Sequence, residues 1–142
     1  MKAFGVSTVS IALASILFCP MAMSAPSMPA DLQMVEPDPS LPRELSAFFG
    51  KWEGTGRIAY FLIVEKIDAE KASLYVWDVG AETASTSIWT RYEAQVAKER
   101  GKYKLCYSGR HGNCDLTFKG DALNWSKISQ YGSESLRLTR VP

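Results

Sequence analysis

The spacing of short extended segments constrains this chain more than any other feature. From residue 50 onward, runs rich in branched and aromatic residues recur about ten residues apart, with turn-forming residues between them. The segments are Lys51–Gly56, Ala59–Ile67, Ala72–Trp77, Ser87–Ala97, Lys102–Tyr107, Cys114–Lys119, Ala122–Ile128 and Glu134–Val141. Asp68–Lys71, Glu99–Gly101, Ser108–Asn113, Gly120–Asp121 and Tyr131–Ser133 supply the turns. A chain of 142 residues has room for one ordinary domain. Eight short strands with tight connections predict an all-β fold, a small antiparallel eight-stranded up-and-down barrel or meander. Closing the meander into a barrel would remove its exposed strand edges.

Strand pairing can be read further. Centring one hairpin on Asp68–Lys71 places Ile63 opposite Val76, Leu62 opposite Trp77 and Val64 opposite Tyr75. Centring the next connection between Trp77 and Trp89 places Val76 opposite Thr90, Tyr75 opposite Arg91 and Leu74 opposite Tyr92. One face then collects Ile63, Leu74, Val76, Tyr92, Ala94 and Val96, with Glu65 near its end. The other collects Leu62, Val64, Tyr75, Trp77, Trp89 and Arg91. Both are largely apolar, whereas a sheet with one wet face alternates apolar and polar residues.

Something should therefore cover the second face. The N-terminal part of the chain could do so through Leu32, Met34, Leu45, Phe48 or Phe49. A second copy or a protein partner is another occupant. In a third arrangement the faces are reversed and Tyr75, Trp77, Trp89 and Arg91 line the barrel mouth. Arg91 would then meet a carboxylate or phosphate head group, with aromatic rings along an apolar tail. The Asp78–Thr86 connection would form a rim in each case.

Before the strands, Pro26, Pro29, Pro37, Pro39 and Pro42 crowd one stretch. That density blocks both helix and central strand, so residues 25–40 read as an extended arm. Ser40 then offers a helix cap, with Pro42 in the first turn and Glu44 close behind. A short helix over Leu41–Phe49, ended by Gly50, opens the domain of residues 41–142.

The run Phe49-Gly50-Lys51-Trp52 resembles the helix-plus-Gly-x-Trp entrance of calycin-type barrels, the lipocalins and their relatives. The resemblance implies that Trp52 plugs one end of the barrel and that a cation from the last strand lies across it. Arg140 matches that position and shares a strand face with Leu136 and Leu138. A cation over an indole face contributes about 1 kcal/mol. Gly50, Trp52 and Arg140 are thus the expected structural set. The segment is well short of a full lipocalin and lacks a counterpart of the Thr-Asp-Tyr signature. Its size is similar to small bacterial barrels that inhibit secreted metalloproteases through an N-terminal arm, although their cysteine placement is not reproduced. Trp77, Trp89-Thr90-Arg91 and the closing Leu136–Val141 also look like small exported bacterial domains of no assigned role.

The first 24 residues read as an address. Lys2 gives a positive start, Val6–Phe18 is apolar, and Ala22, Ser24 and Ala25 are small. That order is the pattern of a secretory signal, with cleavage after Ser24. A retained anchor and a lipid on Cys19 are the alternatives. The apolar run is short for a span, and Cys19 follows Phe18 where a lipoprotein signal needs a small residue. The expected product is periplasmic or secreted, with no membrane span after signal removal. In that oxidising compartment Cys106 and Cys114 are expected to form a disulfide. Side-chain alternation places them on opposite faces, so the bond would need a bulge near Gly109 or Gly112.

Charge narrows the function classes. The chain carries 16 basic and 15 acidic residues, and removing Lys2 with the signal balances them. General nucleic-acid and anionic-membrane binders need a basic excess. Neither a phosphate loop, a metal-ligand spacing nor a Ser-centred nucleophile turn appears, so no metal or cofactor is expected. The single histidine, His111, sits in a Gly-flanked turn and reads as a solvated loop residue. Glu53 and Glu65 could pair as acid and base, but read better as strand-surface charges. Asn124-Trp125-Ser126 fits a glycosylation triplet but lies mid-strand, which favours chance.

The expected function is therefore an exported, non-catalytic binding protein for a small apolar or amphipathic molecule. A cavity near Trp77 and Trp89 would hold it. The alternatives are a protease inhibitor acting through its arm, and a self-associating protein using the aromatic face.

Overall fold

The computed structural model describes residues 26–56, 59–78, 88–110 and 112–142. Residues 1–25, 57–58, 79–87 and 111 lie outside the described residues, and with them the expected signal, most of the expected Asp78–Thr86 rim and His111. The chain forms α1 (Arg43–Ser46) and then β1 (Gly50–Thr55), β2 (Ala59–Ile67), β3 (Lys71–Asp78) and β4 (Ile88–Glu99). There follow β5 (Lys102–Gly109), β6 (Gly112–Lys119), β7 (Ala122–Ser129) and β8 (Gly132–Val141). Each strand pairs antiparallel with the next, and β8 returns to β1 to close an eight-stranded barrel. Closure leaves no free sheet edge among these strands. No helix among the described residues is long and apolar enough to cross a membrane.

Alternation along the strands fills the interior. Leu62, Val64, Leu74, Leu105, Leu116, Leu123 and Leu138 are fully buried there. Apolar residues at every second position make this possible, because successive side chains point to opposite faces. Each buried aliphatic side chain contributes about 1.5–3 kcal/mol, so the stability resides mainly in this stack.

The β3–β4 register is the expected one, with Tyr75 opposite Arg91 and Val76 opposite Thr90. The β2–β3 register is corrected by one residue. Ile67 pairs with Ala72 and Lys66 with Ser73, as a hairpin centred on Asp68–Lys71 requires. A bulge then intervenes at Glu65, and Val64 pairs with Leu74, Leu62 with Val76 and Phe61 with Trp77. One extra residue in one strand reverses which side chains face inward. Leu62 and Val64 therefore join Leu74 and Val76 inside, while Ile63 moves to the outer face with Tyr75.

The helix is also shorter than expected. Ser40 does not cap it; Pro42 holds the cap position, with no side-chain cap bond. The Ser40 amide donates instead to Asp38 Oδ1 at 2.8 Å, and the Leu41 amide to the Asp38 carbonyl at 3.0 Å. Those bonds make a turn of the segment that was to begin the helix. After Ser46 the chain tightens, with Phe48 and Phe49 amides donating to the carbonyls of Leu45 and Ser46.

Candidate functional site

Two places hold an N-terminal segment against the barrel, and a third is concave. The first is the plug. Trp52, on β1, is buried and pairs with Arg140 on β8. Its indole N–H donates to the Phe48 carbonyl at 3.0 Å. The Arg140 guanidinium lies 4.3 Å from the indole ring and donates to the carbonyls of Phe49 at 2.7 Å and Ala47 at 2.6 Å. Phe118 meets both Phe48 and Trp52 edge-on. Gly50 makes room for this crossing. Its φ is +124°, and a Cβ there would lie 2.6 Å from Arg140 Nη1. A side chain at position 50 would be strained by its backbone and would also obstruct the cation.

The second place is a clasp on the outside of β2, β3 and β4. Tyr75, Trp77, Trp89 and Arg91 all project there, so they do not line the barrel interior. The arm meets Tyr75, Trp89 and Arg91, while the Trp77 ring packs edge-on against Phe61. Trp89 Nε1 donates to the Ser27 carbonyl at 2.7 Å, and Arg91 donates to the Asp31 carbonyl at 3.1 Å. Arg91 also faces the Asp31 carboxylate at 3.4 Å and lies 4.6 Å from the Tyr75 ring centre. The covering of the second face by the chain's own N-terminal part is thus what the structure contains, and the arm supplies it rather than the helix. Leu45 and Phe48 are buried at the plug instead.

Glu65 organises the clasp, a role the sequence reading missed. Its carboxylate is buried, 5% exposed, and accepts from Arg91 Nε at 3.1 Å, Ser73 Oγ at 2.7 Å and the Gln33 amide at 3.1 Å. Its own carbonyl accepts from the Val35 amide at 2.8 Å. A buried charge is tolerable only with such partners. Glu53 is exposed on β1 and pairs with Phe61, about 13 Å along β2 from Glu65, so the two carboxylates form no acid–base pair. The adjacent charges Glu65 and Lys66, breaking the apolar run of β2, were the available signal for a bulge. The Tyr75 hydroxyl is buried without a hydrogen-bond partner among the described residues. Burial, and then the nearby Asp31 carboxylate, push its ionisation up to about 12.

The expected disulfide is absent. Cys106 and Cys114 are both free thiols. Cys106 pairs with Asp115 and Cys114 with Tyr107, in a β5–β6 ladder that runs without a bulge to Gly109 and Gly112. The sulfurs therefore point to opposite sides of one sheet, Cys114 inward and Cys106 outward. Burial raises the ionisation of both thiols.

The barrel interior near the far end from the plug is aromatic and polar. Trp125 Nε1 donates to the Tyr107 hydroxyl at 2.9 Å, and the Tyr107 and Tyr60 hydroxyls lie 3.3 Å apart. Burial holds the Tyr107 phenol well above its usual range. These groups satisfy one another.

The concave surface lies at the plug end instead. An open cleft of about 650 Å³ runs between α1 and the β4–β5 and β6–β7 turns. Tyr103 and Phe118 supply aromatic surface, and Arg100, Lys102 and Lys104 supply positive charge, with Glu44 on the helix side. Lys104 is engaged by Glu99 at 3.1 Å and Asp115 at 3.6 Å, and the Glu99 contact, then Asp115, raises its ionisation. Arg100 and Lys102 are exposed on the turn. The expected cavity near Trp77 and Trp89 is not where this cleft lies, and neither residue lines it. Among the described residues, no group of three or more His, Cys, Asp or Glu is placed to hold a metal ion.

No family model, curated protein or solved structure matches the chain.

Proposed function

We propose that the chain is an exported, non-catalytic binding protein of calycin type whose ligand is a small amphipathic anion. The observation that carries the reading is the cleft of about 650 Å³, which combines aromatic Tyr103 and Phe118 with cationic Arg100 and Lys102. Its size falls within the range of small-molecule sites, about 300–1,000 Å³. An aromatic floor accepts an apolar body, and exposed guanidinium and ammonium groups accept a carboxylate or phosphate. The buried Tyr60–Tyr107–Trp125 cluster inside the barrel weighs toward this outer cleft rather than a central one. Kinship with the calycins rests on Gly50, Trp52 and Arg140, and export rests on the order of residues 1–24.

The test uses anilinonaphthalene sulfonate, a fluorescent amphipathic anion, with dodecanoate, dodecyl phosphate and uncharged dodecanol as competitors. Both anions should displace the dye and dodecanol should not. Combining Arg100→Glu and Lys102→Glu should weaken dye binding by about tenfold or more, the worth of one charge-assisted hydrogen bond. Equal binding to the double variant, or displacement by dodecanol as readily as by dodecanoate, would refute the site.

A further inference from the structure

The clasp has features of an interface between exchangeable parts. Apart from the Asp31 carboxylate, the arm is held through its main chain: the carbonyls of Ser27 and Asp31 and the amides of Gln33 and Val35. The receiving groups, Trp89, Arg91 and Glu65, all sit on the rigid barrel wall. The expected extended arm turns at Pro29–Leu32 between these contacts, so the groove holds it by main-chain groups rather than as an added strand. Every copy of this chain carries one matching segment and one groove.

The segment joining arm to barrel is self-contained. Between Val35 and α1, the Ser40 and Leu41 amides are both satisfied by Asp38. Pro37 and Pro39 favour an extended path on either side of that residue. The arm also turns apolar side chains to solvent. Met28 is 48% exposed, Met34 39% and Val35 46%. Ile88, next to Trp89 on β4, is 57% exposed. A single copy leaves this surface wet, whereas a second copy would cover it.

We propose that two copies of this chain exchange arms, each arm occupying the Trp89–Arg91–Glu65 groove of the other. The polar contacts within each groove are the same in the closed and exchanged forms. The balance between them is set by the hinge and by concentration. A short tether gives the chain's own arm an effective concentration of order millimolar, so the closed form prevails in dilute solution. Burial of Met28, Met34 and Val35 between copies shifts the balance toward the dimer.

Sedimentation of the purified protein from micromolar to millimolar concentration tests the association. Isotope-labelled and unlabelled chains, mixed and refolded together, test the geometry. Filtered NOE spectra should show contacts between the Trp89 indole of one chain and Ser27 and Met28 of the other. Removing Pro37, Asp38 and Pro39 shortens the hinge and should lower the dimer dissociation constant by about tenfold or more. Trp89→Phe keeps the ring and removes a donor that is used alike in both forms, so it should leave that constant unchanged within about twofold. Denaturant unfolding checks that both variants keep the barrel. A protein that stays monomeric throughout, with the shortened hinge included, overturns the proposal. So does a dimer whose contacts between the arm and β4 are all within one chain.

Discussion

The plug and the clasp use the same chemistry at different depths. Each has an indole N–H donating to a main-chain carbonyl, Trp52 to Phe48 and Trp89 to Ser27. Each has an arginine over an aromatic ring that also donates to the carbonyl of an N-terminal segment, Arg140 at 4.3 Å from Trp52 and Arg91 at 4.6 Å from Tyr75. They differ in what surrounds them. Trp52 is 1% exposed and packed against Phe48 and Phe118, while Trp89 is only half-buried. Similar hydrogen bonds therefore sit deep in the core at one end of the barrel and at a half-exposed surface under the arm. The amount of apolar surface removed from water distinguishes the two places.

The largest effect should come from emptying the plug. Trp52→Ala should cost about 3–5 kcal/mol, because the aromatic contacts go and a cavity remains. Urea unfolding would measure it, and a loss below 1 kcal/mol would place the plug among the weak contacts beside the clasp. Arg140→Leu should cost less, about 1–2 kcal/mol, through loss of the stacked cation and its bonds to Ala47 and Phe49. The same unfolding curve should show it with an unchanged slope. A neutral result would mean that water satisfies those carbonyls as well as the guanidinium does.

The smallest effect is a pH response confined to the clasp. Burial raises the Tyr75 phenol from 10.0 to about 12. Folding therefore favours the neutral phenol. That contribution is fully present below about pH 10 and disappears as pH rises through about 12. Carbon-13 shifts of the tyrosine rings should show Tyr75 ionising later in the folded protein than in the urea-unfolded chain, with a change in Trp89 fluorescence over the same pH range. If Tyr75 ionises in the folded protein as it does in the unfolded chain, the arm does not shield it, and the clasp is open in solution.

Much of the barrel was legible without coordinates. All eight strands lie where the spacing placed them, within a few residues at their ends. Trp52 and Arg140 face each other across β1 and β8. The opposition of Cys106 and Cys114 followed from simple alternation, and it outweighed the expectation drawn from an oxidising compartment. The site was less legible. Tyr75, Trp77, Trp89 and Arg91 do share one surface, but a single bulge at Glu65 changed which β2 residues share it with them. The cleft draws Glu44, Arg100, Tyr103 and Phe118 from separate turns and strands, and no local pattern joins them.

The sequence by itself determined the strand periods, the turns and the proline-rich arm, because these depend on side-chain size, branching and backbone freedom within a few residues. Only the tertiary structure decided which apolar face became the interior, what covered the other, and where a concave surface remained. Those outcomes depend on register and closure. One extra residue in a strand reverses the facing of its side chains, and only the assembled barrel shows which arrangement leaves the fewest apolar groups in water.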